Sequence, residues 1–332
     1  MGRPIRDQAI VITGASSGLG LATALEAGRR GARVALAARN AAELERVAAR
    51  VREAGGEAIA VPADVTDYAQ VEALARRTAE AFGRIDTWIN NAGVAVYGTF
   101  MDVPFEDFRR AFDVVFMGQV HGARAALPYL AASGGTLICI GSVLSDRGIP
   151  LMGPYCAAKH ALEGWLDALR VELAHAGSPV RVSVIKPSSL NTPLFQKARS
   201  YMGVEARPVP PVYAPELAAA AILQVAESER PPRDRTIGIG KLLALADAVS
   251  PRITDLFQFA FQYHAHRSER PKHPSGPDNL YAPLPEDGSV RGRWTAEEKR
   301  RSPFTAILER RGAAALLALA SGIGLLAARR AR

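Results

Sequence analysis

Short apolar runs alternate with amphipathic stretches along most of the chain. The apolar runs predict strands at residues 9–13, 33–38, 58–61, 86–90, 136–141, 180–185 and 236–240. Helical spacing of apolar positions predicts helices at 41–54, 67–82, 106–131, 154–176 and 215–229. Continuous apolar strands are typical of a parallel sheet that is covered on both faces. The pattern therefore predicts an α/β fold, a doubly wound, Rossmann-type parallel sheet of about seven strands with helices on both faces.

The alternating pattern stops at about residue 264, so we assign residues 1–263 to one catalytic domain. Residues 271–303 carry six prolines and many charges, which predicts an extended and poorly packed connector over 264–303. The basic tail, 304–332, contains an apolar run at 312–328 between arginine pairs. A helix over this run would be about 25 Å long, against about 30 Å of bilayer hydrocarbon. We expect either peripheral membrane contact through this helix or its docking on the protein or a partner subunit.

Composition narrows the class of protein. The chain has 332 residues and a net charge of +8, with most of the basic surplus after residue 264. Its two cysteines, Cys139 and Cys156, have no metal-ligand spacing and form no disulfide framework. The N-terminus has no apolar signal segment. We expect a cytoplasmic protein, possibly associated with a membrane through residues 312–328, that binds neither a metal nor nucleic acid.

The first strand leads directly into a glycine-rich turn, TGASSGLG at residues 13–20, and then into a helix. Glycines permit a tight turn and a close approach of the backbone to a ligand, and the new helix presents its N–H groups. The spacing is not that of a P-loop, which requires Gly-Lys followed by Ser or Thr. This turn is predicted to bind the pyrophosphate of a nucleotide through Gly14, Ser16, Ser17, Gly18, Leu19 and Gly20.

The end of the second strand indicates which nucleotide is bound. NAD-binding folds place a carboxylate there to accept hydrogen bonds from the ribose. Here Ala38 and Arg39 stand at that position, and a guanidinium can pair with a 2′-phosphate. The sequence therefore predicts NADP(H). The alternative is that Arg39 only caps the following helix.

Tyr155 and Lys159 stand four residues apart in a predicted helix, so they share one face. Taken alone, this pair could also be a half-buried tyrosine beside a solvated lysine. The surrounding motifs decide between these interpretations.

Six motifs follow one another in the order of the short-chain dehydrogenase/reductase family, which the chain resembles in its ordinary single-domain branch. They are TGASSGLG at 13–20, Asp64–Val65, NNAG at 90–93, Ser142, YCAAK at 155–159 and KPSSLNTP at 186–193. The resemblance extends over about residues 5–263.

The resemblance implies a role for each residue at the reacting end of the site. Tyr155 would exchange a proton with the substrate oxygen, and Ser142 would hydrogen-bond that oxygen. Lys159 would lower the pKa of the Tyr155 phenol, which is ordinarily about 10, and would hold the nicotinamide ribose.

The resemblance also implies further cofactor contacts. Asp64 would bind the adenine amino group and Val65 the ring edge. The backbone after Pro187, with Thr192, would contact the carboxamide, while Asn90 would brace the strands. The residues implied to line the cofactor cleft are Asn91, Ala92 and Gly93.

Two positions depart from the family pattern. Val115 stands where the family commonly has an asparagine that supports a proton-relay water, and Ser188 replaces a common glycine. His121, His160 and Cys156 lie near the site in sequence, and we expect them to be packing or surface residues.

We therefore predict an NADP(H)-dependent oxidoreductase that interconverts an apolar ketone or aldehyde and an alcohol. The predicted substrate loop, 188–212, is mostly apolar, and the helix after residue 240 either closes the pocket or belongs to the core. The resemblance implies a homodimer or homotetramer. The alternative function is a non-catalytic NADP(H)-binding sensor or scaffold, which Val115 alone supports.

Overall fold

The computed structural model of the chain describes residues 2–285 and 288–302. The predicted apolar helix over 312–328, with the rest of the tail 304–332, lies outside these residues. Within the described ranges, no helix has the length and apolar character needed to cross a bilayer.

Seven parallel strands form the central sheet, in the spatial order β11, β7, β6, β4, β1, β2, β3. These strands are β1 (Ala9–Thr13), β2 (Arg33–Ala37), β3 (Glu57–Ala60), β4 (Thr87–Asn90), β6 (Thr136–Ile140), β7 (Arg181–Pro187) and β11 (Asp234–Ile237). Six short strands lie outside it: β5 (Val96–Tyr97), β8 (Arg199–Ser200), β9 (Val204–Ala206), β10 (Val212–Tyr213), β12 (Arg267–Pro271) and β13 (Glu298–Lys299). The predicted fold class is confirmed, and all seven predicted sheet strands are present.

Helices connect the strands and cover both faces of the sheet. They are α1 (Gly18–Arg29), α2 (Ala41–Glu53), α3 (Tyr68–Phe82), α4 (Phe105–Phe112), α5 (Gly118–Ser133), α6 (Gly153–His175), α7 (Leu194–Lys197), α8 (Pro215–Glu227), α9 (Gly240–Val249), α10 (Pro251–Phe257) and α11 (Tyr263–Ala265). Local sequence explains several ends. The Asn40 side chain accepts from the Glu43 N–H at the start of α2, and Asp67 caps α3 in the same way.

The apolar runs of the sequence reflect a sheet that is buried from both sides. In β1, Ile10 and Ile12 pack into one apolar layer and Ala9 and Val11 into the other, and all four are fully buried. A strand with alternating apolar and polar residues would place polar side chains on one face of the sheet. Because helices cover both faces of this sheet, its central strands are apolar throughout.

The predicted helix over 106–131 contains an irregular turn. A π-helical segment, Asp113–Met117, joins α4 to α5, and it includes Val115. Such segments are frequent at functional sites. This one buries Val115 completely and places the neighbouring Val114 in the wall of the cavity described below.

The described part of the segment after residue 264 is packed against the domain, although its composition predicted poor packing. β12 pairs with β9, and β13 pairs with β10. Leu280 is fully buried in a core cluster, and Asp278 forms an ion pair with Arg199 at 2.8 Å. The prolines and charges that suggested poor packing instead make an extended chain that is held by side-chain and backbone contacts.

Candidate active site

A cavity of about 730 Å³ opens at the carboxyl ends of the sheet strands. All but one of the predicted site residues line it: Gly14, Ser16, Ser17, Gly18, Leu19, Arg39, Asp64, Val65, Asn91, Ala92, Gly93, Ser142, Tyr155, Lys159, Pro187 and Thr192. The exception is Gly20, whose Cβ would lie 2.2 Å from the Gly14 carbonyl oxygen. Gly20 therefore allows the helix to pack closely on the turn.

The glycine turn has a backbone conformation that larger residues would strain. Gly14 has φ +66°, and a Cβ there would lie 2.7 Å from the Ala92 Cα. Gly18 has φ +57° and begins α1. The turn is thus left-handed at two positions, with a helix N-terminus behind it. This shape and polarity fit the pyrophosphate of a dinucleotide.

Thr13 and Asn91 fasten this turn to the neighbouring strand. The Thr13 hydroxyl accepts from the N–H groups of Asn91 and Ala92 at 3.0 and 3.1 Å. The Asn91 side chain donates to the carbonyls of Thr13 and Gly14 at 2.9 and 3.1 Å. Asn90 points elsewhere and donates to the Gln119 carbonyl at 2.8 Å, as a bracing residue would.

Tyr155 and Lys159 converge as their spacing in α6 predicts. The Lys159 ammonium nitrogen lies 5.4 Å from the centre of the Tyr155 ring and donates to the Ile140 carbonyl at 2.5 Å. Lys159 is only 3% exposed. Ser142 lies two residues after the end of β6, and its hydroxyl accepts from the Leu144 N–H. The sheet edge and one helix face thus bring the three predicted catalytic residues together.

Burial changes the proton affinities of this group. It lowers the pKa of Lys159 to about 8. It raises the pKa of the Tyr155 phenol, and a hydrogen bond with Ser142 opposes that rise. The direction differs from the predicted lowering, because desolvation of the phenol outweighs the stabilising hydrogen bond.

Gln119, which the sequence analysis missed, occupies the space beside Val115. Its side-chain nitrogen donates to the Val115 carbonyl at 3.0 Å and to the Ile140 carbonyl at 3.3 Å. Lys159 donates to the same Ile140 oxygen. Gln119 therefore places a side-chain amide, one turn after Val115, at the carbonyl that Lys159 also contacts. The sequence alone does not indicate that Gln119 belongs to the site, because its contact with Ile140 is seen only in the fold.

Arg39 lies at the end of β2, at the far end of the pocket. It does not cap α2, since Asn40 does so. Its guanidinium donates to the carbonyls of Asn279 and Leu280 at 2.5 and 3.3 Å. Burial lowers the pKa of Arg39, and Asp64 opposes this effect. The alternative reading of Arg39 as a helix cap is thus wrong.

Asp64 is held by α4 as well as by its own turn. Arg110 donates to its carboxylate at 2.6 Å, and Thr66 donates both its N–H and its hydroxyl. Burial acts to raise the pKa of Asp64, but these hydrogen bonds outweigh it and keep the pKa below its ordinary value. Arg110 also donates to the Leu280 carbonyl, which connects this group to the C-terminal segment.

Lys197 is a second cation at the glycine turn that the sequence analysis missed. Its ammonium donates to the Ser17 hydroxyl at 2.8 Å, and burial lowers its pKa to about 8. The Asn279 N–H donates to the Lys197 carbonyl, and the Gly18 N–H donates to the Ser289 carbonyl at 2.9 Å. Asn279 thus contacts the helix that carries Lys197, and Ser289 contacts the turn. No motif marks this lysine, because only the packing of this later segment brings α7 to the turn.

The remaining wall of the pocket is mostly apolar. Leu190, Leu194 and Phe195 of the predicted substrate loop line it, whereas Tyr201 instead hydrogen-bonds Asp107 at 2.6 Å. From the helices after residue 240, apolar lining comes from Ala246, Ile253, Phe257 and Phe261. The outer face of these helices is exposed, and Phe259 is 81% exposed. These helices therefore close the pocket rather than fill the core.

Three residues near the site have packing contacts, as expected. The His121 ring contacts the Val65 carbonyl at 2.9 Å, and the His160 ring contacts the Cys156 carbonyl at 2.8 Å. Cys156 is buried. Among the residues described, no cluster of His, Cys, Asp or Glu could hold a metal ion.

Comparison with known proteins agrees with this geometry. The model of the short chain dehydrogenase family matches residues 8–203. An uncharacterized oxidoreductase, YxnA of Bacillus subtilis, is 42% identical over 283 residues, covering 84% of this chain and 79% of its own. An 11-beta-hydroxysteroid dehydrogenase A of Sesamum indicum is 34% identical over 194 residues, 58% of this chain and 55% of its own. The structure of an alcohol dehydrogenase from the archaeon Thermococcus sibiricus, complexed with 5-hydroxy-NADP, is 26% identical with a TM-score of 0.61, and the match covers 69% of this chain and 95% of that one.

Proposed function

Because the chain belongs to the short chain dehydrogenase family of oxidoreductases, we propose that it uses NADP(H) to interconvert an apolar ketone or aldehyde and the corresponding alcohol. The observation that carries the proposal is the convergence of Ser142, Tyr155 and Lys159 on the cavity that the glycine turn also lines.

The three residues act on the proton of the substrate oxygen. Tyr155 donates its phenol proton to that oxygen during reduction and removes it during oxidation. Ser142 hydrogen-bonds both the phenol and the substrate oxygen, which fixes their distance. The Lys159 ammonium lies 5.4 Å from the centre of the Tyr155 ring, where a positive charge would favour the phenolate. The bound dinucleotide supplies or accepts the hydride.

The residues at the other end fit an NADP(H) molecule. The glycine turn, with left-handed backbone at Gly14 and Gly18 and the start of α1 behind it, has the form that binds a pyrophosphate. Arg39 presents a guanidinium where a 2′-phosphate would lie, with Ala38 rather than a carboxylate before it. The structural relative that was solved with an NADP analogue supports the same cofactor.

The apolar wall supports an apolar substrate. Phe195, Phe257, Phe261 and neighbouring aliphatic side chains line the same cavity as Tyr155. The name of the Sesamum indicum relative, a hydroxysteroid dehydrogenase, is consistent with a substrate of this class.

We also propose a homodimer or homotetramer that forms through α4, α5 and α6. Phe100, Met101 and Phe105 support it, since they project three large apolar side chains into solvent at the start of α4. Membrane contact through residues 312–328 remains a proposal that rests on the sequence alone.

A substrate screen tests the proposed activity. Purified protein and NADPH are mixed with a panel of apolar ketones and aldehydes, and the absorbance of the reduced nicotinamide is followed. We expect turnover that Tyr155→Phe abolishes and that the control Tyr201→Phe retains, because Tyr201 contacts Asp107 outside the cavity. Tight NADPH binding without turnover of any panel member would instead favour the sensor.

A further inference from the structure

Two polar side chains interrupt the apolar wall of the substrate pocket. Gln262 and His266 stand four residues apart, line the cavity, and are 8% and 2% exposed. Gln262 ends the π-helical segment Gln258–Gln262, and His266 follows α11. The spacing places both on one side of the chain, beside the apolar Phe261.

Their polar atoms lack protein partners. In the part of the chain that the structure describes, neither ring nitrogen of His266 has a hydrogen-bond partner, and the side-chain oxygen of Gln262 has none either. The fully buried Tyr97, whose ring centre is 6.0 Å from that of His266, also has an unpartnered hydroxyl there. Buried polar groups are normally satisfied, so a cluster of unsatisfied ones requires an explanation.

The chemistry of the cluster identifies the kind of group that it would bind. Burial lowers the pKa of His266 to about 4, so its imidazole is neutral near pH 7 and offers one donor and one acceptor. The Gln262 oxygen is a further acceptor. A neutral donor and acceptor set of this kind matches a hydroxyl group. It provides no charge to pair with a carboxylate or an ammonium.

The cluster lies on the substrate side of the pocket. Tyr97 packs in one apolar cluster with Ile149, Met152 and the partly buried Tyr155. Burial first, and then the nearby Tyr155, raise the pKa of Tyr97. A group that contacts His266 would therefore belong to the molecule that reacts at Tyr155.

We propose that Gln262 and His266 bind a second, uncharged hydroxyl group of the substrate. The inference rests on the proposed function. It specifies an apolar carbonyl compound, or the corresponding alcohol, that carries a hydroxyl away from the reacting carbon. A site built around a hydroxyl discriminates strongly against the analogue that lacks it, because its own polar groups are then left unpaired.

A matched pair of ketones tests this inference. Phenylcyclohexanone and para-hydroxyphenylcyclohexanone differ by one distal hydroxyl. In the full chain with NADPH, we expect kcat/KM to favour the hydroxylated ketone by about tenfold or more. His266→Phe and Gln262→Leu should each remove most of that preference, while Ile253→Leu, on the same wall, should keep it.

Two further readouts separate this inference from the proposed activity. Binding of each ketone to the NADP-loaded chain is measured by calorimetry, so the preference can be scored without turnover. His266→Phe should also leave the midpoint of thermal unfolding unchanged or raise it. If His266 instead stabilised the fold, this substitution would lower the midpoint. If the wild type binds the hydroxylated ketone more tightly but reduces neither, the proposed activity fails and the inference stands. The inference is overturned if the wild type binds the two ketones equally or binds neither. It is also overturned if the preference for the hydroxylated ketone survives both substitutions.

Discussion

The two ends of the pocket are built in different ways. The reacting end, with Ser142, Tyr155 and Lys159, comes entirely from the part of the chain that the family model matches. The opposite end, which contains Arg39 and which we call the adenosine end, also uses residues after 264, since Asn279 contacts Arg39. The substrate wall does so too, since His266 lines the cavity. The comparison indicates that the proposed catalytic residues all lie within the range that the family model matches, whereas the rest of the pocket also uses a later segment of the chain.

The largest effect should come from the reacting end. Lys159→Met removes the ammonium that lies 5.4 Å from the Tyr155 ring. We expect kcat to fall by about a hundred- to ten-thousand-fold, the usual range for a lost acid–base contribution. Initial rates with a turned-over ketone measure it. As a control, Lys159→Arg retains the charge and should lose less. A fall of less than threefold in Lys159→Met would contradict this reading of the reacting end.

The adenosine end should control the choice of cofactor. Arg39→Asp replaces a cation with an anion where the 2′-phosphate would lie. We expect the Kd for NADPH to rise about a hundredfold, since charge-assisted hydrogen bonds are lost and repulsion is added, while NADH binds as well as before. Nicotinamide fluorescence titrations measure both. Unchanged preference for NADPH over NADH would refute the NADP assignment.

The buried histidine of the C-terminal segment should make the fold sensitive to acid. The pKa of His266 is lowered from about 6.5 to about 4 by burial, so the unfolded chain binds a proton in this window and the folded chain does not. Stability is therefore unaffected above pH 6.5 and falls as the pH drops towards 4, by about 2 kcal/mol at pH 5. Denaturant unfolding at pH 7 and pH 5 measures it.

His266→Phe should remove this part of the pH dependence. The exposed His175 provides the control, because His175→Gln should leave the pH dependence as it is in the wild type. An unchanged slope in His266→Phe would show that His266 is protonated in the folded state.

The smallest effect should come from Lys197, whose ammonium contacts the glycine turn that would bind the pyrophosphate of either NADPH or NADH. Lys197→Met removes a cation 2.8 Å from the Ser17 hydroxyl of the glycine turn. Since the pyrophosphate is common to both cofactors, we expect NADPH and NADH to lose affinity equally, by about tenfold. Calorimetric titration compares the two. A loss confined to NADPH would instead place Lys197 at the 2′-phosphate, next to Arg39.

The sequence predicted the sheet and the reacting end because both depend on local patterns. A strand buried from both sides must be a continuous apolar run, and residues four apart in a helix, such as Tyr155 and Lys159, must share a face. Gln119, Lys197 and His266 could not be predicted in this way. Lys197 and His266 reach the site through packing between distant segments, so no spacing in the chain identifies them. Gln119 lies one turn after Val115, but its contact with the Ile140 carbonyl depends on how α5 packs against the sheet.

The C-terminal segment shows the limit of composition as a guide. Its prolines and charges predicted poor packing, yet Leu280 is fully buried and the Asn279 and Leu280 carbonyls accept from Arg39. Prolines are compatible with an extended segment, and its charges are used in ion pairs such as Arg199–Asp278. Composition described the backbone conformation of this segment but not what it contacts.

The central claim is that hydride passes between a nicotinamide and a carbonyl carbon while Tyr155 handles the proton. The most direct test is to give the protein NADPH that carries deuterium at the transferable position, together with an apolar ketone, and to analyse the alcohol by mass spectrometry. The account predicts one deuterium on the carbinol carbon with the wild type and almost no product with Tyr155→Phe. Alcohol without deuterium, or labelled alcohol formed equally well by Tyr155→Phe, would contradict it.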